Sequence, residues 1–127
     1  MSEKKLLIVD DEKPILTLMD LTLSRAGYRV FTTQSGESAL EILEQEDIPV
    51  MFFDLHMPGM DGLELCRRVK EKWAAALIFA MTGSDNDFMA ARCKKFGFVD
   101  CLQKPVCLTT LRDRTRIAFE NRIDGYH

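Results

Sequence analysis

The sequence is poor in the residues that announce metal or thiol chemistry. It has two histidines, His56 and His127, and its four cysteines, Cys66, Cys93, Cys101 and Cys107, never fall in a C-x-x-C spacing. A zinc centre needs clustered sulfur and imidazole, so none is expected, and the cysteines read as reduced, partly buried thiols. No apolar stretch approaches the roughly 20 residues that cross a bilayer. A basic stripe is also missing. The formal net charge is −3, and Arg112, Arg114, Arg116 and Arg122 are interrupted by Asp113 and Glu120, which reads as a solvated helix face and argues against direct nucleic-acid binding. There is no internal repeat, low-complexity tract or linker. Residues Met1 to Lys5 lead straight into an apolar run and have the pattern of neither a signal nor a transit peptide. A cytoplasmic protein with no membrane partner is the expectation.

What is present suits one ordinary domain. Apolar residues make up 46% and charged residues 29% of 127 positions, which excludes disordered and collagen-like chains and leaves room for one core. A single unit spanning residues 1–127 is expected, with short tails at 1–4 and 123–127.

The chain alternates short apolar runs with longer amphipathic stretches. Leu6 to Val9 enters Asp10-Asp11, Val50 to Phe53 enters Asp54, Leu77 to Met81 enters Thr82-Gly83, and Val99 to Gln103 enters Lys104-Pro105; Arg29 to Thr32 reads as a further strand. Between them, Leu16, Met19, Leu23 and Ala26 repeat at helical spacing after Pro14 and stop at Gly27. Ser35 can cap a second helix, with Ala39, Leu40 and Leu43 inward, ending near Asp47 before Pro49. His56 to Gly62 carries one proline and two glycines and is a loop. Leu63, Cys66 and Val69 mark a third helix, Ser84-Asp85 to about Phe96 a fourth ended by Gly97, and Leu108 to about Arg122 a fifth, whose Thr115 and many charges blur its apolar face. Five βα units imply an α/β protein with a parallel sheet covered on both faces.

In such a sheet all four polar groups converge on the carboxyl edge, where open α/β sheets bind ligands. Asp10, Asp11 and Asp54 would repel one another there unless one takes a proton or all share a cation. Mg²⁺ suits the need: it accepts carboxylates, keeps waters and leaves a place for a phosphate oxygen. An aspartate can also act as nucleophile and form an aspartyl-phosphate, with Lys104 and the Thr82 hydroxyl neutralising the transferred group. Singly, each feature has a plain reading: Asp10-Asp11 as a turn and helix cap, Lys104-Pro105 as a surface turn, Thr82 as a strand-end hydroxyl.

Asp10-Asp11, Asp54 followed by Met57-Pro58 and Asp61-Gly62, Thr82-Gly83, and Lys104-Pro105 together resemble the receiver domain of two-component response regulators. The resemblance covers nearly the whole chain in order and spacing. It implies a doubly wound, flavodoxin-like sheet of order 2-1-3-4-5. It further implies that Asp54 is the phospho-acceptor, fed by a phosphohistidine on a sensor histidine kinase or phosphotransfer protein. Asp10 and Asp11 would join Asp54 and the backbone carbonyl of His56 as Mg²⁺ ligands. Thr82 would be the switch hydroxyl, Lys104 its partner at the phosphate, and Pro105 would follow a cis peptide bond. Such a chain is a signalling switch and not a conventional enzyme, catalysing only its own Mg²⁺-dependent phosphorylation and dephosphorylation, with its downstream target left open.

Three positions depart from the pattern. Cys101 stands where an aromatic residue usually swings inward, so the readout through the fourth helix, fifth strand and fifth helix is expected to be non-standard. Phe98 replaces a small residue and would place an aromatic near that surface. The His56 side chain should overhang the site, either to affect water attack on the acyl phosphate or as a plain loop histidine. Among other classes, a haloacid-dehalogenase-type phosphatase would need Asp-x-Asp. A flavodoxin-like cofactor binder would need a phosphate-cradling loop where Asp10-Asp11-Glu12 repels phosphate. A receiver reduced to a scaffold would have lost one of Asp11, Asp54, Thr82 or Lys104, and all are present.

Overall fold

The near-continuous apolar runs form strands buried on both faces, as parallel sheets require. The computed structural model describes residues 3–83 and 87–123. Its order is β1 (Lys5–Val9), α1 (Lys13–Arg25), β2 (Arg29–Thr33), α2 (Gly36–Gln45), β3 (Val50–Asp54), α3 (Gly62–Lys72), β4 (Leu77–Thr82), α4 (Asp87–Phe96), β5 (Asp100–Gln103) and α5 (Leu108–Ile123). The five strands make one parallel sheet of order β2-β1-β3-β4-β5. The doubly wound fold expected from the sequence is therefore present.

Alternate strand residues feed two cores, because successive side chains leave opposite faces of a strand. Leu7, Val9, Met51, Phe53, Ile78 and Ala80 pack with α2, α3 and α4 through residues such as Leu43, Leu65 and Cys93. Leu6, Ile8, Val50, Phe52, Phe79 and Met81 pack with α1 and α5 through Leu16, Met19, Leu23, Leu111 and Phe119. Phe52 and Phe79 stack across β3 and β4 with ring centroids 4.9 Å apart. The central strands are thus gripped from both sides, which holds their carboxyl ends rigidly.

Local details follow the sequence with small departures. Ser35 caps α2 by accepting the Ser38 amide, but the helix ends at Gln45, before Asp47. Ala26 keeps helical spacing yet is the exposed C-cap of α1 and not a core residue. Gly27 and Gly97 close α1 and α4 at φ of +99° and +103°, the left-handed region that a side chain resists. The expected start of α4 at Ser84-Asp85 lies outside the described residues. Thr115, which blurred the fifth helix, is buried because its hydroxyl donates to the Leu111 carbonyl at 2.7 Å, leaving no unmet polar group.

Candidate functional site

Backbone hydrogen bonds tie neighbouring strand ends together, β1 to β2, β3 to β4 and β5 to β4. The Asp10 amide donates to the Thr33 carbonyl at 3.2 Å, the Leu55 amide to Met81 at 3.0 Å, and the Lys104 amide to Thr82 at 2.8 Å. The loop after Asp54 returns sharply into α3, where the Gly62 amide donates to the Leu55 carbonyl. A Cβ at Gly62 would stand 2.4 Å from the Asp54 carbonyl oxygen and 2.9 Å from Leu55 Cα. Glycine is required there, since backbone cannot yield as a flexible side chain does. Asp61 caps the same helix by accepting the Glu64 amide.

Asp10, Asp54 and Thr82 meet at this edge and are 0%, 3% and 1% exposed. Asp10 accepts the Glu12 amide at 2.9 Å, so it shapes the turn as well as carrying charge. Asp54 accepts the His56 amide at 3.1 Å. Lys104 Nζ lies 3.0 Å from Asp10, 3.5 Å from Asp54 and 3.2 Å from Glu12, so one ammonium serves three carboxylates. Asp11 is exposed and its carbonyl accepts from the Gln34 amide group at 3.1 Å.

Burial and neighbouring charge both shift the titration of these groups. Burial, more than anything else, raises Asp54 from 3.8 to about 6; the His56 amide and Lys104 oppose the rise, and Asp10 and Asp11 add to it. For Lys104, burial works against the charge, but Asp10, with Asp54 and Glu12, outweighs it and holds the ammonium above its usual value. One ammonium thus serves Asp10, Asp54 and Glu12, and Asp54 still holds its proton more tightly than an ordinary carboxyl.

Asp10, Asp11 and Glu12 each offer a carboxylate oxygen within 4.8 Å of the others. With Asp54 beside them, this all-oxygen set fits a hard divalent cation and offers no soft ligand. Glu12 was not singled out from the sequence as part of the site. The run Asp10-Asp11-Glu12 was its signal, but its ion pair with Lys104 depends on tertiary contact.

His56 is exposed, and its Nε2 lies 3.4 Å from Thr82 Oγ1. The ring therefore overhangs the site, as expected of it. The Lys104-Pro105 peptide is cis. Cys101 is half-buried on β5 and paired in register with Ala80, and its amide donates to the Asp100 carboxylate at 2.8 Å. Phe98 corrects an expectation: its ring is buried and packs edge-on against Phe53 at 6.5 Å, so it adds to the core and puts no aromatic on the surface. The turn at Gly97, closed by the Phe98 amide on the Cys93 carbonyl, sets Phe98 into the core cluster beside Phe53.

Residues 6–116 match the response regulator receiver domain family. The chain belongs to this family. Receiver domains are phosphoryl-accepting signalling switches of two-component systems, served by a histidine kinase or phosphotransfer partner. The chain is 38% identical over 117 residues to the virulence sensor protein BvgS of Bordetella pertussis, a match that covers 87% of this chain and 10% of BvgS. It thus spans about a tenth of the length of that curated relative. Among solved structures, chemotaxis protein CheY4 of Vibrio cholerae superposes with a TM-score of 0.87 at 28% identity, covering 92% of this chain and 99% of that one. The CheY-like receiver domain protein of Methanospirillum hungatei JF-1 shares the fold at a TM-score of 0.91 and 24% identity, covering 98% and 99% of the two chains. Among the described residues, no helix of this receiver domain is long and apolar enough to cross a membrane.

Proposed function

We propose that Asp54 takes a phosphoryl group from a phosphohistidine of a sensor histidine kinase or phosphotransfer protein, and that the phosphorylated receiver signals by protein contact in the cytoplasm. One observation carries this reading: a single ammonium, Lys104, bridges Asp10 and Asp54 at the edge of the sheet, beside a buried threonine hydroxyl. Asp10, Asp11 and Asp54, with the His56 carbonyl, would hold Mg²⁺, which supplies positive charge to the oxygens of the transferring group. Glu12 stands close enough to join them.

The protein's own groups divide the work. An Asp54 carboxylate oxygen attacks phosphorus as the bond from phosphorus to imidazole nitrogen breaks, and the nitrogen keeps that electron pair. Reaction needs Asp54 ionised, and a cation held beside it would oppose the burial that raises its titration. Lys104 exchanges its contact with Asp54 for one with a phosphoryl oxygen, and Thr82 turns its hydroxyl toward the same group. Movement of Thr82 and Lys104 would then reach α4 and β5, which follow Thr82 and precede Lys104 in the chain. The domain is a switch, and hydrolysis of its own acyl phosphate resets it.

Incubation with a small acyl-phosphate donor and Mg²⁺ is expected to add one phosphoryl group, read by intact-protein mass. The adduct should require both Asp54 and the cation. If a stable phosphoryl mimic such as beryllofluoride also left the amide NMR spectrum unchanged, the domain would be a scaffold and the proposal would fail.

His56 should govern how long the phosphoryl group lasts. Its ring covers Thr82 on the solvent side, so His56→Asn is expected to hasten phosphate loss. A contact worth about 1 kcal/mol corresponds to roughly fivefold in rate. An unchanged half-life would make the ring a plain loop histidine.

A further inference from the structure

The receiver carries two adjacent thiols where its moving parts meet. Cys93, on α4, is 1% exposed, and Cys101, on β5, packs half-buried against the same core cluster. Their approach follows from the way α4 ends. The Gly97 amide donates to Lys94 and the Phe98 amide to the Cys93 carbonyl, after which the Val99 amide joins Ile78 on β4. This tight reversal lays β5 back along the last turns of α4, where both side chains join one core cluster and the Cys93 and Cys101 thiols share a hydrogen bond. Burial, then the neighbouring Cys101 thiol, pushes Cys93 up to about 12.

The other two cysteines are placed differently. Cys66, on α3, is buried and its thiol donates to the Phe96 carbonyl at 3.3 Å. Cys107 is exposed just before α5, and the Thr110 and Thr109 amides there lower its titration. Cys101 is the more accessible member of the Cys93–Cys101 pair and holds the position through which an aromatic would otherwise report the switch.

We propose that Cys93 and Cys101 form a disulfide when the receiver meets a peroxide, and that the bond ties α4 to β5 and holds the switch surface in one state. The Cys101 thiolate attacks one peroxide oxygen, and the O–O bond breaks. Cys101 becomes a sulfenic acid, and the departing hydroxide takes up the thiol proton as water. Cys93 sulfur then attacks the sulfenic sulfur, the S–O bond breaks, and a second water leaves with the Cys93 proton. Two thiols lose two electrons in all, and peroxide gains them. A reducing cytoplasm would reopen the bond, so the lock lasts only while oxidant does. Burial of Cys93 makes it a slow but selective partner, because only an oxidised neighbour within contact can reach it.

The experiment is graded hydrogen peroxide on the whole chain, followed by alkylation of the remaining thiols in denaturant, intact mass and peptide mapping. The expected product has lost two hydrogens, keeps Cys66 and Cys107 alkylatable, and maps the link to Cys93–Cys101. Cys107→Ser should still form it, whereas Cys101→Ser and Cys93→Ser should not; Cys101→Ser, at the half-buried position, decides the matter if Cys93→Ser fails to fold. Oxidised protein should also lose the amide shifts that beryllofluoride induces in α4 and β5 of reduced protein, and recover them with dithiothreitol. Four alkylatable thiols after treatment, a link that involves Cys107, or oxygen added to sulfur without a link would each overturn the proposal. A link at the right pair that leaves the mimic response intact would overturn the lock. Because bond formation is read without phosphorylation, its failure is distinct from failure of Asp54 to accept a phosphoryl group.

Discussion

Asp54→Asn should make the metal-free protein more stable at pH 7.5 while removing its capacity to accept a phosphoryl group. The native site holds Asp54 as a buried anion beside Asp10, and this raises its titration from 3.8 to about 6. A folded-state value above the unfolded one means that the native chain binds the proton more readily. The favourable contribution is therefore fully present below about pH 4 and is lost as pH rises through about 6. Above that, the buried charge costs up to about 3 kcal/mol relative to a group that titrates normally. Asparagine keeps the shape and removes the charge, though Lys104 loses one of its partners, so a gain of about 1–3 kcal/mol is expected. Urea unfolding in chelator, followed by the fluorescence of the single tryptophan, Trp73, measures this directly. The gap between variant and parent should close as pH falls toward 4, and a divalent cation should narrow it at pH 7.5 by stabilising the parent more. A variant equal to or weaker than the parent at pH 7.5 would show that Asp54 is not under electrostatic strain.

Most of this fold was legible because its strands are buried twice. Val50 to Phe53 contains no polar residue since both of its faces meet helices, and the same holds for Leu6 to Val9. The polar residues that end those runs therefore stood out, and four of them proved to line one edge. Less could be read where contact decides. Phe98 looked like a surface aromatic because only the Gly97 turn reveals that its ring goes inward to Phe53. Glu12 stood in the sequence only as part of an acidic run that would repel phosphate, and only the folded chain brings it to Lys104 across 92 residues. Gly62 read as loop punctuation, whereas its lack of a Cβ lets α3 begin against the Asp54 carbonyl.

Lys104→Met should have the opposite effect to Asp54→Asn, and the contrast isolates the site's charge balance. Lys104 is the ammonium held between Asp10 and Asp54, and Asp10 is fully buried. Removing it leaves two buried carboxylates facing each other with no cation, a loss of about 3–4 kcal/mol when one partner of a buried ion pair is deleted. Methionine keeps the unbranched stem, so the loss reports charge more than packing. Two substitutes for the missing charge are available, and each makes its own mark. Protons are one: the deficit should shrink as pH falls below the raised titration range of Asp54, now higher than in the parent because the attraction of Lys104 is gone. A divalent cation is the other, since the acids that Lys104 bridged belong to the oxygen set that would hold it; millimolar Mg²⁺ should restore more stability to this variant than to the parent. Signalling would not be restored in the same way. With Asp54 and the cation in place, the variant should still accept a phosphoryl group, but no ammonium would meet that group at the end of β5, and the amide shifts in α4 and β5 should be lost. Chelator-insensitive unfolding, or an unaltered NMR response to beryllofluoride, would mean that Lys104 serves neither as the site's resident counter-ion nor as its link to the switch surface.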